Sequence, residues 1–155
     1  MIKKKKTAGR QIVNATKTKV DGIQFQSALE SKMYLLLKGA GIRASYEPIS
    51  YTIFEGFTYP EECYERYLKK NKYMVNRPAV LKITYAPDFV HENEEFIIEV
   101  KGRPNESFPL RWKLFKALMF KKEKPPLIFK PSTVGECQQV VEILKSKGYG
   151  NKTKT

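Results

Sequence analysis

Cysteine, histidine and long apolar runs are scarce in this sequence. Its 155 residues include two cysteines, Cys63 and Cys137, and a single histidine. The cysteines lie far apart with no CxxC spacing, so we expect neither a disulfide framework nor a zinc site. No stretch reaches the roughly 18 apolar residues of a transmembrane helix, and the start MIKKKK lacks the apolar run of a signal peptide. These absences predict a soluble, intracellular protein without a membrane partner.

Acidic residues are also few relative to basic ones. The chain has 29 Lys and Arg against 16 Asp and Glu, a formal net charge of +13. This excess predicts a polyanionic partner, because Lys and Arg gain affinity by neutralising phosphates. Nucleic acid is favoured over an acidic membrane surface, since neither end of the chain shows a basic amphipathic helix with an aromatic face.

The length predicts one domain with flexible ends. Residues 1–20 contain no acid and little periodicity, which predicts a basic arm whose Lys3, Lys4, Lys5 and Lys6 bind DNA. The tail, residues 148–155, is expected to be equally flexible. The ordered domain is thus predicted to span residues 21–147, with an insertion at 57–76.

Hydrophobic periodicity predicts an α/β fold, in which a mixed sheet is flanked by helices. A short helix is expected after Pro60, and strands 79–90 and 95–101 are expected to form an antiparallel hairpin closed by a turn with an exposed His91. Inward positions are predicted at Leu110, Leu114, Phe115, Leu118 and Met119, and at Val134, Cys137, Val140, Val141 and Leu144. The other predicted elements are a helix at 27–38, a strand or pair of strands in 42–54, a helix at 107–122, a strand at 127–129 and a last helix capped by Thr133 and Glu136.

Five of the sixteen acids fall within the predicted hairpin, in the segment YAPDFVHENEEFIIEVKG. Alternate strand residues share a face, so Glu99 and Lys101 point one way, and the hairpin brings Asp88 beside Glu99. Two adjacent carboxylates repel each other unless a cation lies between them. Mg²⁺ takes such oxygen ligands together with waters and phosphate oxygens. The remaining acids, Glu92, Glu94 and Glu95, are interpreted as solvated turn residues.

Lys101 extends this pair into a set suited to phosphodiester hydrolysis. The metal would polarise the phosphate, a metal-bound water would attack, and the lysine would orient or deprotonate that water and stabilise charge. Phosphate contacts are predicted for Arg77, Arg111, Lys113 and Lys116, with a merely solvated helix face as the alternative for the last three.

The spacing of these residues resembles a known nuclease motif. Pro87-Asp88, ten residues, then Glu99-Val100-Lys101 is similar to PD-(D/E)xK. The blocks FQSALESKMYLLLKGAGI, YEP, YAPDF and IEVKG resemble small phage-encoded members, including the endonuclease I type that resolves Holliday junctions. A further group of small phage proteins is equally similar, because its DGI-F-S opening is matched by Asp21-Gly22-Ile23, Phe25 and Ser27. The resemblance covers about residues 21–120.

This resemblance implies a restriction-endonuclease-like fold and a metal-dependent DNA endonuclease that prefers branched DNA. It implies that Asp88, Glu99 and the Val100 carbonyl bind Mg²⁺, for which Mn²⁺ substitutes, and that Lys101 is catalytic. It further implies that Glu30 joins the site, that the enzyme is a homodimer, and that it works in the cytoplasm of a bacterium infected by the phage that encodes it. The insertion at 57–76 and the chain after residue 122 depart from endonuclease I.

Three alternatives stay open at this stage. Ser27 and Glu30 also fit a capping box, which would give Glu30 a structural role. The enzyme could instead be a nicking or double-strand endonuclease without junction preference. A protein that binds DNA through the same surface without cutting it is the rival from another class.

Overall fold

The structure, a computed structural model, describes residues 16–67 and 73–151. The predicted DNA contacts at Lys3, Lys4, Lys5 and Lys6 lie outside these ranges. The described part folds into twelve short strands and three helices. Their order is β1 (Thr18–Val20), β2 (Ile23–Phe25), α1 (Ala28–Gly39), β3 (Ser45–Tyr46), β4 (Tyr51–Phe54), β5 (Phe57–Thr58), β6 (Tyr64–Arg66), β7 (Met74–Asn76), β8 (Ala79–Val80), β9 (Ile83–Tyr85), β10 (Phe89–Val90), β11 (Phe96–Ile98), α2 (Phe108–Phe120), β12 (Leu127–Phe129) and α3 (Val134–Ser146).

The central sheet has the strand order β12-β11-β10-β3. Strand β10 pairs antiparallel with both β3 and β11, whereas β11 pairs parallel with β12. The predicted antiparallel hairpin and mixed sheet are therefore confirmed. The part of that prediction that made 79–90 one strand is wrong, because the chain is interrupted at residues 81–82 and 86–88: β8 and β9 pair with β5 and β4 in separate two-stranded sheets, and only β10 joins the central sheet.

Alternation along β11 divides the core between the two faces of this sheet. Phe96 and Ile98 pack towards α1 and α3, and Ile97 packs towards α2 and β4. All three side chains are fully buried. A strand buried on both faces reads as a continuous apolar run, which is the pattern FII here. The result is a mixed α/β architecture with helices on both sides of the sheet.

Helix boundaries follow the caps predicted from sequence. The Ser27 hydroxyl accepts a hydrogen bond from the Glu30 N–H, and the Thr133 hydroxyl accepts one from the Glu136 N–H. Two predicted inward positions are wrong, since Leu110 is 62% exposed and Val134 is 43% exposed. Helix α2 buries the predicted Phe115 and Met119, and its stripe continues through Trp112 and Phe108 rather than through Leu110.

Residues 51–67 and 73–85 form an interrupted, two-stranded β-ribbon, which we call the ribbon arm. Strand β4 pairs with β9, β5 with β8 and β6 with β7, each inside the previous pair. The predicted helix after Pro60 is wrong. All three residues of β6 are exposed, so a helix here would have no apolar surface to pack against, whereas a ribbon satisfies its backbone hydrogen bonds by itself.

Both predicted domain boundaries fall too far inward. Residues 18–20 form β1, which pairs with β2 across Asp21-Gly22, and both turn residues have positive φ as a tight hairpin turn requires. At the other end, the Tyr149 ring lies 5.4 Å from His91 and 5.1 Å from Phe96 between ring centroids. His91 is therefore buried rather than exposed.

The Asn151 N–H donates to the Ala40 carbonyl at 3.0 Å, which ties the chain after α3 to the end of α1.

Of the turn acids, Glu92 and Glu95 are exposed as predicted, but Glu94 accepts hydrogen bonds from Tyr51 and Lys122. Within the described ranges, no helix has the length and apolarity needed to cross a membrane.

Candidate active site

Three buried carboxylates line one cleft between the sheet, α1 and the start of α2. Glu30 is 7% exposed, Asp88 is 8% exposed and Glu99 is 5% exposed. The cleft has a volume of about 270 Å³ and also contains the side chains of Lys101 and Arg111. Its other lining residues are Gln26, Glu47, Tyr85, Ala86, Asn105, Ser107 and Phe108. The side chains that the sequence predicts to be catalytic therefore lie together in one cleft.

The segment after β11 positions Glu99 and Lys101. Its pairing with the chain after β12 continues beyond the strand, because Glu99 N–H donates to the Phe129 carbonyl and Lys101 N–H to the Pro131 carbonyl, each at 2.9 Å. The alternation therefore persists as predicted. Val100 packs into the core on the α1 side, and Glu99 and Lys101 emerge together in the cleft.

Asp88 lies in the short break between β9 and β10. Its Oδ2 accepts a hydrogen bond from the Val100 N–H at 2.6 Å, which fixes the carboxylate against the Glu99–Lys101 segment. Its backbone carbonyl accepts from the Glu47 N–H at 2.8 Å. Two peptide groups thus hold Asp88 from opposite sides.

Glu99 carries a buried oxygen without a partner. Among the described residues, Glu99 Oε2 and the Tyr85 hydroxyl are the buried side-chain polar atoms that make no hydrogen bond. Glu99 Oε1 lies 4.0 Å from Lys101 Nζ, too far for a hydrogen bond but close enough for attraction between charges. An unsatisfied buried carboxylate oxygen is costly. The Tyr85 hydroxyl lies close enough to Glu99 to stabilise part of its charge, and a cation or ligand bound in the cleft would complete the site.

The cleft strongly disfavours a second negative charge. Burial, followed by the charges of Glu99 and Glu30, raises the pKa of Asp88 to about 9. Burial also raises the pKa of Glu99, and the nearby Tyr85 hydroxyl and Lys101 oppose that rise. Both shifts describe the protein without a bound cation. A divalent ion among these oxygens would reverse them.

Glu30 is engaged on both oxygens. Oε2 accepts hydrogen bonds from the Tyr46 hydroxyl at 2.6 Å and the Gln26 N–H at 3.0 Å, and Oε1 accepts one from the Ser27 hydroxyl at 2.8 Å. These contacts favour the structural alternative for Glu30, in which it stabilises the start of α1. Its charge still acts on the site, since it contributes to the raised pKa of Asp88.

Two cations border the acids. Lys101 Nζ lies 4.9 Å from the centroid of the Phe108 ring, a cation–π distance that holds the amine at the cleft. The Arg111 guanidinium donates to the Thr84 carbonyl and lies 6.0 Å from the centroid of the Tyr85 ring. The first turn of α2 therefore supplies both a ring that holds Lys101 and a second positive charge.

The other predicted DNA contacts lie outside the cleft. Arg77 is in the ribbon arm, where its guanidinium is 3.9 Å from Glu65 Oε2 and 5.2 Å from the centroid of the Tyr67 ring. Lys113 and Lys116 are exposed on α2 but do not line the cleft.

Sequence reasoning did not select Glu47 or Tyr85 as site residues. Glu47 lines the cleft with φ of 43°, a left-handed conformation uncommon for a glutamate. Burial and the charge of Glu30 raise its pKa. Its position before Pro48 in the YEP block was a signal, whereas nothing in the alternation around Tyr85 distinguished a core tyrosine from one whose hydroxyl reaches the cleft.

The donor set bears on whether a metal fits. In the described part of the chain, no group of three or more His, Cys, Asp or Glu side chains is arranged to hold a metal ion. The engagement of Glu30 agrees with this. Two carboxylates, Asp88 and Glu99, remain, and Mg²⁺ is commonly held by one or two carboxylates together with waters and substrate phosphates. The unpartnered Oε2 of Glu99 fits such an ion.

Comparison with known proteins identifies a family. The family described as "Protein of unknown function (DUF1064)" matches residues 10–130. The chain belongs to this family. The matched range includes all the cleft residues and the whole ribbon arm, and it ends before α3. No curated protein and no solved structure matches the chain.

Proposed function

We propose that this member of the DUF1064 family is a metal-dependent endodeoxyribonuclease with a restriction-endonuclease-like fold. The observation that carries the proposal is the buried pair Asp88 and Glu99, with an unpartnered Glu99 oxygen and Lys101 beside it. A pair of buried acids without a cation is destabilising, so its presence next to a lysine in an open cleft favours function over a structural role.

Asp88, Glu99 and the Val100 carbonyl would hold the ion, Mg²⁺ with Mn²⁺ as a substitute. The ion would supply charge stabilisation for the phosphate and lower the pKa of a bound water. The Val100 N–H keeps Asp88 in place through Oδ2. Lys101 is held by the Phe108 ring within reach of Glu99, where its ammonium group orients the attacking water and offsets charge that develops on the phosphate.

Arg111 is proposed to bind a phosphate at the mouth of the cleft, and the exposed Lys113 and Lys116 to contact the DNA backbone further along α2. The net charge of +13 supports a polyanionic substrate. Glu30 is proposed to act indirectly, by holding Tyr46 and the start of α1 and by adding negative charge to the cleft.

The preference for branched DNA, the homodimer and the location in the bacterial cytoplasm rest on the resemblance to endonuclease I. One cleft cuts one strand, so symmetric resolution of a junction needs two copies. These features form the narrower part of the proposal.

A substrate panel tests both levels. Wild-type protein is incubated with four-way junction, fork, flap, linear duplex, supercoiled and single-stranded DNA, in Mg²⁺, in Mn²⁺ and in EDTA. We expect cleavage that requires the metal and is fastest on the junction. Equal cleavage of duplex and junction would replace the narrower proposal by a general endonuclease, and no cleavage of any substrate would refute the enzyme.

A further inference from the structure

The ribbon arm presents an exposed surface that neither the core nor the cleft uses. Seven of the thirteen large hydrophobic side chains that are exposed in the described part lie between Phe54 and Leu81. An isolated two-stranded ribbon is marginally stable in water, and exposed aromatic side chains on it indicate a binding surface.

The register of β6 and β7 defines one face of this ribbon. Tyr64 pairs with Asn76 and Arg66 pairs with Met74, and directly opposite residues share a face. Tyr64 is 54% exposed and Met74 is 62% exposed. This outer face therefore combines an aromatic ring, a guanidinium and an apolar side chain. On the other face, Arg77 contacts Glu65 and Tyr67, which partly offsets its charge.

Shape and charge both favour DNA as the partner of the outer face. A two-stranded ribbon has the width that the major groove of DNA accepts. Arg66 places a positive charge on the face, and residues 51–85 together carry six Lys and Arg against four Glu. One of these acids, Glu62, accepts a hydrogen bond from the Tyr64 hydroxyl at 3.0 Å. Between β6 and β7 the sequence YLKKNKY contains three lysines and no acid; its central residues lie outside the described ranges.

The ribbon arm also connects this face to the cleft. The end of the arm next to the cleft is Tyr85, which lines the cleft. From there, the strand that leads back to β7 covers the residues from Ile83 to Met74. At about 3.3 Å per residue, that distance is up to about 30 Å, or roughly nine base pairs of duplex. We propose that the outer face of the ribbon arm, through Tyr64 and Arg66, binds DNA away from the cleavage site and so enlarges the recognised substrate. This inference rests on the proposed function in one respect: the DNA that binds the arm is taken to be the same DNA that lies in the cleft.

The test measures DNA binding separately from cleavage. The double variant Tyr64→Ala/Arg66→Ala, the conservative variant Tyr64→Phe and the control Phe120→Ala are titrated against a labelled four-way junction and a labelled duplex in EDTA. Phe120 is an exposed aromatic residue, 82% accessible, on α2. We expect the double variant to bind about tenfold or more weakly, because a guanidinium that contacts phosphates or base edges and an exposed ring beside it are lost together. Tyr64→Phe and Phe120→Ala should bind like the wild type.

Wild-type affinity of the double variant, with Trp112 fluorescence showing a native core, would overturn the proposal. So would intact DNA binding combined with a loss of self-association by light scattering, because the face would then bind a protein. The two proposals fail in different ways. If the wild type cuts no DNA but the double variant binds DNA more weakly, the nuclease is refuted and the DNA-binding arm stands; if the wild type cuts and the double variant binds normally, the reverse holds.

Discussion

Asp88→Asn should stabilise the metal-free protein. The substitution removes a carboxyl that is 8% exposed and keeps an oxygen that can accept the Val100 N–H. In the folded protein, burial and then the charges of Glu99 and Glu30 raise the pKa of Asp88 from 3.8 to about 9. Folding therefore requires Asp88 to take up a proton at neutral pH, and the neutral asparagine avoids this cost.

The sign and size of the effect follow from linkage. Because the folded pKa lies above the unfolded one, the stability associated with Asp88 is complete below about pH 4 and falls as the pH rises towards 9. A pH of 7 is about 3 units above the pKa of Asp88 in the unfolded chain, and each unit corresponds to about 1.4 kcal/mol. The free energy of unfolding that Asp88→Asn can recover at pH 7 is therefore at most about 4 kcal/mol. A gain of 1 kcal/mol raises the Tm of a domain of this size by about 2–4 °C.

Thermal unfolding in EDTA at pH 4, 5, 6 and 7 measures this gain, with Glu61→Gln as a control at an exposed acid. We expect Asp88→Asn to unfold several degrees above the wild type at pH 7 and at nearly the same temperature at pH 4, while Glu61→Gln follows the wild type. Added Mn²⁺ should raise the Tm of the wild type and not that of Asp88→Asn. A lower Tm for Asp88→Asn in EDTA at pH 7 would refute the reasoning.

Three further predictions concern Glu30, Arg111 and the basic residues at the start of the chain. Glu30→Gln should lower the free energy of unfolding by about 1–2 kcal/mol in urea titrations, because it weakens the hydrogen bonds at the start of α1. This variant should keep some cleavage activity, whereas Glu99→Gln should keep none. Complete loss of activity with unchanged stability would show that Glu30 is catalytic instead. Arg111→Ala should weaken DNA binding several-fold in anisotropy titrations, and unchanged affinity would place its charge away from the bound DNA. Deleting residues 2–15 removes Lys3, Lys4, Lys5, Lys6 and Arg10 without touching β1, and should reduce the slope of log K against log salt by about 0.9 for each phosphate that these side chains neutralise; an unchanged slope would mean that they neutralise none.

The sheet and the acid pair were predictable because they depend on short-range rules. Alternation in FIIEVK decides which side chains share a face, and a turn of fixed length brings Asp88 to the neighbouring segment. The caps at Ser27 and Thr133 follow in the same way from local hydrogen bonds. These features need no knowledge of distant parts of the chain.

The remaining features depend on long-range contacts. Pro60 and the charged run after it read as a surface helix, and only the pairing of β6 with β7 shows a ribbon. His91 reads as a turn residue because the polar run ENEE follows it, yet Tyr149, from beyond α3, covers it. The bond from the Tyr46 hydroxyl to Glu30 likewise joins segments that the sequence pattern treats separately. Pattern rules carry no information about which distant residue completes a site.

The central claim is that Asp88, Glu99 and Lys101 form a metal-dependent nuclease site, and the cleavage rate of Lys101→Ala tests it most directly. The rate is measured on the best substrate of the panel at saturating protein and saturating Mg²⁺, beside the wild type and Lys32→Ala, a change at an exposed lysine on α1. We predict that the cleavage rate of Lys101→Ala is about 100-fold or more below that of the wild type, the scale for removing one group that stabilises developing charge. Lys101→Ala should bind the DNA and Mn²⁺ nearly as the wild type does, and Lys32→Ala should remain fully active. Cleavage by Lys101→Ala at the wild-type rate would contradict the account.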